Sequence, residues 1–247
     1  MNFDNILAKR NNKTVYRDGN RSIKLFLPQH PKAFVLNEAL NQARIEELGL
    51  NAPKLLEVTM IDGRWAIASE YIEGKTLAQL IEENPDRKAE YLELLTDVQH
   101  AIHQKTCTLL GRLVEKIRTQ IAISDFDATT RFDLYTQLEG MHRSKRVCHG
   151  DLDPTNIILT EDGTPFVIDW SQAVHGNIRF DAVRTFYLLW ASGDTEGANI
   201  YLDLFCQKSG ISKESVREWF PLVAASQSVG GGEKEREFLS CFETLIH

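Results

Sequence analysis

The sequence has only four cysteines, and their positions argue against two kinds of site. Cys107, Cys148, Cys206 and Cys241 lie far apart and never form a Cys-x-x-Cys pair. Structural zinc sites and the disulfide frameworks of small secreted domains are both recognised by closely spaced cysteines. We therefore expect reduced thiols inside the fold.

Long hydrophobic runs are also lacking. No stretch reaches the roughly 20 apolar residues that a membrane-spanning helix needs. The first residues lead into the charged segment 9–13 without the apolar block typical of a signal peptide. These features predict a cytoplasmic protein with no membrane partner.

Positive charge is in deficit. The 28 Lys and Arg residues face 35 Asp and Glu residues, so the net charge is −7 and the pI is about 5.6. Proteins bind nucleic acid mainly through Lys and Arg, so a nucleic-acid partner is not expected. A small neutral or cationic molecule fits this balance better. The 247 residues, 43% of them hydrophobic, are enough for two lobes, either as a monomer or as a homodimer.

The first seventy or so residues have the pattern of two hairpins with a helix between them. Segments 14–17 and 22–26 surround the turn signal Asp18-Gly19-Asn20, and segments 55–60 and 65–71 surround a second Asp-Gly signal. Between them, 31–48 has the apolar spacing of a helix. A small antiparallel sheet is expected here.

Beyond Gly74 the pattern becomes mainly helical. Helices are expected at 76–83, 86–110, 125–142, 178–192, 195–209, 213–228 and 233–246. The prediction is an α+β fold in two lobes, with residues 1–73 forming a small sheet lobe and residues 74–247 a larger, mainly helical one.

The segment 149–156 and the strand that ends at Asp169 carry the strongest chemical signal. Mg²⁺ prefers oxygen ligands and usually takes only one or two from a protein, which Asn156 and Asp169 could supply. A hairpin through Asp162-Gly163 would bring these two residues together, with Asp151 close by on the preceding loop. Asp151 could then receive the proton of a hydroxyl group that accepts a phosphoryl group.

A purely structural interpretation of the same residues exists. Asp, Pro and Asn are turn residues, and Asp169 could simply cap the segment that follows. A turn, however, needs neither the second strand nor the Asp at its end, so phosphoryl transfer is favoured.

These motifs resemble those of a known group of enzymes. His-Gly-Asp-Leu-x-Pro-x-Asn at 149–156, Ile-Asp-Trp at 168–170, and the later Gly176 and Asp181 resemble the aminoglycoside phosphotransferase and choline kinase group, including the bacterial phosphotransferase enzyme family. The likeness runs from about residue 14 to the C-terminus. It implies a protein-kinase-like fold and transfer of the γ-phosphoryl of ATP or GTP, with Mg²⁺, to a hydroxyl of a small molecule such as an aminoglycoside, amino alcohol or sugar.

The resemblance also implies roles in nucleotide binding. Lys24, in the middle of an apolar strand, would contact the α- and β-phosphates, and Glu38 would hold it through an ion pair. The backbone carbonyl of Glu70 and the amide of Ile72 would bind the adenine edge.

Further roles concern the catalytic loop and the acceptor. Asp181 would brace the loop from the start of the next helix, and His149 would pack within it. Asp153 would contact the acceptor or cap the local turn, and Trp170 is the aromatic residue best placed to line an acceptor site.

One departure from the kinase pattern keeps alternatives open. Kinases cover the phosphates with a glycine-rich turn, whereas the corresponding segment 9–14 here, Lys-Arg-Asn-Asn-Lys-Thr, has no glycine. A catalytically degenerate nucleotide-binding regulatory protein is therefore the alternative to an active enzyme. A protein kinase is the weaker alternative, because no peptide-docking element is recognisable after Asp169.

Overall fold

The computed structural model describes residues 5–10 and 12–228, so the helix predicted at 233–246 lies outside the described residues. The chain forms two compact units, residues 1–80 with 154–172 and residues 81–153 with 173–247. These units do not follow a single cut after Glu73, because the segment 154–172 forms a strand pair with the chain just beyond Gly74. The α+β class is confirmed.

The first unit contains a five-stranded antiparallel sheet in the order β1-β2-β3-β5-β4. Its elements are β1 (Ile6–Lys9), β2 (Lys13–Asp18), β3 (Arg21–Phe26), α1 (Lys32–Glu47), β4 (Leu55–Ile61) and β5 (Arg64–Glu70). The two predicted hairpins and the helix are confirmed. Strand β1 was not predicted, because it is only four residues long and mostly exposed, and so has little apolar alternation to reveal it.

The alternation of β3 decides which way its side chains point. Ile23 and Leu25 pack with Ala66 and Ala68 in one core cluster, whereas Phe26 packs with α1 in another. Successive strand residues face opposite sides of a sheet. Lys24 therefore lies on the same face as Phe26, towards α1.

A second, three-stranded sheet in this unit has the order β10-β9-β6. It consists of β6 (Lys75–Thr76), β9 (Ile157–Leu159) and β10 (Pro165–Val167). A Cβ on Gly74 would lie 2.4 Å from the carbonyl oxygen of Leu159, so this close approach requires glycine. The β9–β10 pair is the predicted hairpin, although its loop, 160–164, is longer than the two-residue turn expected from Asp162-Gly163.

Most of the other helices belong to the second unit. They are α3 (Lys88–Gln104), α4 (Leu113–Ala122), α5 (Ala128–Gly140), α6 (Ile178–Ala191), α7 (Thr195–Ser209), α8 (Lys213–Arg217) and α9 (Phe220–Ser228), while the short α2 (Leu77–Glu83) follows β6. A small sheet in the order β7-β11-β8 joins β7 (Gly111–Arg112), β11 (Val174–Gly176) and β8 (Arg146–Cys148).

Two helix predictions need correction, and one helix is additional to those predicted. The helix predicted at 86–110 ends at Gln104, because the carbonyl of Lys105 accepts a hydrogen bond from the Val147 amide and the chain turns into sheet structure. Helix α4 was not predicted. The segment 213–228 is two helices, and Pro221, which has no N–H to donate, lies in the first turn of the second one.

Two sequence expectations concern the cysteines and the membrane. Cys107 and Cys148 are buried free thiols, and Cys206 is a partly exposed one. Among the residues that the structure describes, no helix combines the length and the apolar character needed to cross a membrane.

Candidate active site

Two cations and two carboxylates meet in the first unit. Lys24 forms an ion pair with Glu38 of α1, and its Nζ lies 3.2 Å from Oδ1 of Asp169. Lys13, at the start of β2, donates to both oxygens of Asp169, at 2.9 Å to Oδ2 and 3.1 Å to Oδ1. The Lys13 ammonium lies 3.9 Å from Oε1 of Glu38. We call these four residues the charge cluster.

The charge cluster shifts the pKa values of its members. Burial by itself would lower the pKa of Lys24, but Asp169 and Glu38 outweigh it and raise this pKa. Burial would likewise raise the pKa of Asp169, but the two ammonium groups hold it well below its usual range. Asp169 is therefore ionised at neutral pH and can act as an oxygen ligand.

The backbone of Asp169 is in the left-handed region, with φ +64°. Residues other than glycine rarely adopt this conformation, although Asp tolerates it better than most. Such conformations cost of order 1–3 kcal/mol and cluster at functional sites. In this conformation the Asp169 carboxylate accepts hydrogen bonds from both lysines.

Trp170, next in the chain, does not have the predicted position. Its side chain is 1% exposed, and its indole N–H donates to the carbonyl of Val167 at 3.0 Å. A ring buried in this way cannot contact a substrate, so the prediction that Trp170 lines an acceptor site is wrong. The Trp170 side chain is instead part of the buried core.

Asn156 and Asp169 are linked by the hairpin. The antiparallel register pairs Ile157 with Val167, and the amide of Ile168 donates to the carbonyl of Asn156 at 3.0 Å. Asn156 itself is 7% exposed. The two predicted metal ligands therefore flank the same pair of strand ends.

The two predicted adenine-binding residues lie at the end of β5. The carbonyl of Glu70, the last residue of this strand, lies 3.4 Å from the hydroxyl of Ser22. Ile72 follows two residues later and is 9% exposed. Both belong to the first unit, like the charge cluster.

The predicted catalytic loop lies in the second unit and is held by Asp181. Oδ1 of Asp181 accepts from the Gly150 amide at 2.7 Å, and Oδ2 accepts from the His149 amide at 3.1 Å. The ring Nε2 of His103 lies 2.9 Å from the same Oδ2. Burial by itself would raise the pKa of Asp181. Its polar interactions outweigh burial and lower this pKa, and the hydrogen bond with His103 is the strongest of them.

Asp151 has a partner that was not predicted. Nη2 of Arg184, on α6, donates to Oδ1 of Asp151 at 2.8 Å, and its Nε donates to the Gly150 carbonyl at 3.3 Å. The ring Nδ1 of the fully buried His149 accepts from the Asp151 amide at 3.2 Å. Arg184 thus fixes both the side chain and the loop that carries it.

Lys116 is a second cation in this region that sequence reasoning missed. Burial, followed by the charge of Arg184, lowers the pKa of Lys116 to about 8, while Asp151 acts in the opposite direction. Helix spacing offers a signal for Arg184, which lies one turn after Asp181, whereas no local pattern indicated Lys116. Asp153 is partly exposed on the same loop.

Asp181→Asn should destabilise the protein and lower its activity. Asn has an NH₂ group in place of one carboxylate oxygen, and this group cannot accept a hydrogen bond from the donors that now contact Asp181. The free energy of unfolding should therefore fall by about 3 kcal/mol. The midpoint of thermal unfolding, Tm, should accordingly fall by several degrees. Asp203→Asn, whose side chain is 61% exposed, is the matched control, and equal effects of the two changes would contradict the bracing role.

Together, the sheet with its Lys–Glu pair, the His-Gly-Asp loop and the Asp that follows a strand pair define a phosphotransferase with a protein-kinase-like fold. The chain belongs to the phosphotransferase enzyme family, whose sequence profile matches residues 5–219. The resemblance seen in the motifs is therefore confirmed. No curated protein sequence matches the chain significantly.

Solved structures share the fold. Aminoglycoside phosphotransferase APH(4)-Ia superposes with a TM-score of 0.69 at 13% identity, over 98% of this chain and 92% of that one. Choline kinase LicA from Streptococcus pneumoniae gives a TM-score of 0.65 at 16% identity, over 98% and 94% of the two chains. An aminoglycoside-3'-phosphotransferase of type VIII gives 0.64 at 16% identity, over 89% and 90%.

Proposed function

We propose that this enzyme transfers the γ-phosphoryl group of ATP or GTP to a hydroxyl of a small molecule. The charge cluster is the observation that carries the proposal, because a buried Lys–Glu pair beside an ionised Asp has the parts that phosphoryl transfer needs. Membership of the phosphotransferase family supports the reaction class. Residues 1–73 would bind the nucleotide, and residues 74–247 would carry the catalytic base and the acceptor site.

Lys24 would contact the α- and β-phosphates. Its ion pair with Glu38 holds the side chain in one orientation, so little conformational entropy would be lost when phosphate binds. The backbone carbonyl of Glu70 and amide of Ile72 would bind the adenine edge.

Asn156 and Asp169 would hold Mg²⁺, and their chemistry fits this ion. Asp169 is ionised, both side chains offer oxygen atoms, and the hairpin joins their backbones. Two oxygen ligands from the protein are the number that Mg²⁺ commonly takes in nucleotide sites. The ion would neutralise charge that develops on the phosphates during transfer.

Asp151 would be the catalytic base for the acceptor hydroxyl. The salt bridge from Arg184 orients its carboxylate, and the hydrogen bonds to Asp181 hold the loop backbone. Positioning of this kind supplies much of the catalysis when the transition state is loose. Asp153, two residues further on, would contact the acceptor.

The acceptor would be an aminoglycoside, an amino alcohol or a sugar. A thermostable mutant of APH(4)-Ia has been crystallised in a ternary complex with ADP and hygromycin B, and LicA, a choline kinase, has been crystallised with AMP. The net charge of −7 favours a cationic or neutral acceptor. A screen of amino sugars, amino alcohols and nucleosides for acceptor-dependent ATP consumption would identify the class of acceptor. We expect the reaction to take place in the cytoplasm.

Thermal unfolding tests the nucleotide part of the proposal. A ligand that binds only the folded state stabilises it by mass action, by about 2.7 kcal/mol at 100 times its Kd. ATP or GTP with Mg²⁺ should therefore raise Tm by several degrees, and by clearly less with a chelator. Adenosine is the control without phosphates, and the absence of any shift at millimolar nucleotide with Mg²⁺ would refute the proposal.

The second candidate is a nucleotide-binding regulatory protein without turnover. The glycine-free segment 9–14 favours it, because backbone amides there cannot approach the phosphates as closely as in a glycine-rich turn. Binding of Mg-nucleotide with no consumption across the acceptor screen would support this alternative.

A further inference from the structure

The glycine-free turn ends in a buried lysine. The Arg10 amide donates to the Lys13 carbonyl at 2.9 Å, which closes the turn between β1 and β2. Lys13 pairs with Phe26 across the sheet, so its side chain lies on the face that also carries Lys24. Lys13 is only 9% exposed. A lysine is rarely buried to this extent unless it is paired with an opposite charge.

The partner of Lys13 is the carboxylate proposed to hold Mg²⁺. Oδ1 of Asp169 accepts from both Lys13 and Lys24, and Oδ2 accepts from Lys13. A divalent cation ligated by Asp169 would therefore come close to two ammonium groups and be repelled by both. At least one ammonium group must move away when the metal ion binds.

The contacts of the two lysines differ in a way that decides which one moves. Lys24 is held by an ion pair with Glu38 in addition to Asp169. Lys13 lies 3.9 Å from Glu38, outside hydrogen-bond distance, so Asp169 is its main anchor. Loss of the Asp169 contact leaves Lys24 anchored and releases Lys13.

We propose that Lys13 is a mobile counterion, which pairs with Asp169 in the nucleotide-free protein and with the phosphates of the bound metal-nucleotide complex. This inference rests on the proposed function and deepens it. The ammonium group takes the place of the backbone amides that a glycine-rich turn supplies in other kinases. Lysine suits the task because it binds phosphate as a flexible point charge.

The proposal predicts that removal of the Lys13 charge changes the affinities for Mn²⁺ alone and for ATP with Mg²⁺ in opposite directions. In Lys13→Met, Mn²⁺ alone should bind more tightly, because a cation that competes for Asp169 is gone. ATP with Mg²⁺ should bind about 10-fold or more weakly, as expected for the loss of one charge-assisted hydrogen bond. Adenosine, which has no phosphates, should bind as it does to the wild type.

Titration calorimetry with the full chain measures ATP with Mg²⁺ and adenosine, and the electron paramagnetic resonance of free Mn²⁺ measures the metal alone. Lys145→Met is the matched control, because it removes the same charge from an exposed position that has no proposed role in nucleotide binding. Lys13→Gln, which keeps a hydrogen-bond donor, replaces Lys13→Met if that variant does not fold. The affinities for Mn²⁺, for ATP with Mg²⁺ and for adenosine should be the same in Lys145→Met as in the wild type.

Three outcomes would overturn the inference. Unchanged ATP affinity in the Lys13 variant would show that Lys13 does not contact the phosphates. Equal weakening of Mn²⁺, ATP and adenosine would show that Lys13 only supports the fold. A wild type that binds no nucleotide would refute the proposed function itself, a result distinct from the first two because it precedes any substitution.

Discussion

Asp151→Asn should lower turnover by roughly 10²-fold or more, within the range typical of a positioned general base. The amide keeps the size and most of the hydrogen-bonding shape of the carboxylate, and its oxygen can still accept from Arg184. It cannot take a proton from a hydroxyl at neutral pH. The affinity for ATP with Mg²⁺ should hardly change, because Asp151 is assigned to the acceptor.

Steady-state kinetics with the acceptor found in the screen, and calorimetry with ATP and Mg²⁺, measure the two quantities separately. Asp162→Asn is the control, since this residue lies in the exposed loop between β9 and β10. Full activity of Asp151→Asn on the true acceptor would rule out the kinase-like mechanism.

Asp169→Asn should weaken the binding of ATP with Mg²⁺ as well as turnover. It removes the charged ligand of the proposed metal site, and Mg²⁺ binds poorly without a carboxylate. A decrease of at least about 10-fold in affinity is expected, because a charge-assisted contact is worth roughly 1.5–3 kcal/mol. Binding should also become less dependent on Mg²⁺.

The same change affects the folded state without ligands. Lys24 keeps its ion pair with Glu38, but Lys13, 3.9 Å from Glu38, loses its main anchor. A destabilisation on the order of 2 kcal/mol is therefore expected, below the value for a fully buried pair. Affinity must therefore be measured at a temperature where the variant is folded. If Asp151→Asn and Asp169→Asn lost affinity for ATP with Mg²⁺ equally, the division of roles between these residues would be wrong.

Local sequence patterns were sufficient to predict the hairpins, because neighbouring residues determine where the chain turns. The hairpins around Asp18-Gly19-Asn20 and Asp62-Gly63 follow from turn residues that adopt positive φ, as Gly19, Asp62 and Gly63 do. Helix α4 had a usable signal in Leu113, Ile117 and Ile121, which are buried at a spacing of one helical turn. Strand β1 and the break before α9 had weaker signals, because short elements offer few periods.

The catalytic block was recognisable because its chemistry is concentrated in a short segment. Asp151 and Asn156 are only five residues apart in the sequence, and the β9–β10 hairpin links Asn156 to the strand end before Asp169. The meeting of Lys24 with Glu38 was also within reach, since strand alternation and the helix that follows point both side chains to the same face. That Asp151 meets Asn156 and Asp169 at one site remains a prediction.

The sequence by itself determined the reaction class, the α+β fold and most of the residues proposed for the site, because motif spacing and periodicity are properties of neighbours in the chain. The tertiary structure alone decided the partners that were not predicted, which are Lys13 for Asp169, Arg184 for Asp151 and His103 for Asp181. Lys13 reaches Asp169 across 156 positions, and His103 reaches Asp181 across 78. The tertiary structure also buries Trp170, which the sequence suggested as a residue that lines the acceptor site. Contacts over such separations depend on how strands and helices pack, and no local spacing encodes which charged side chains that packing brings together.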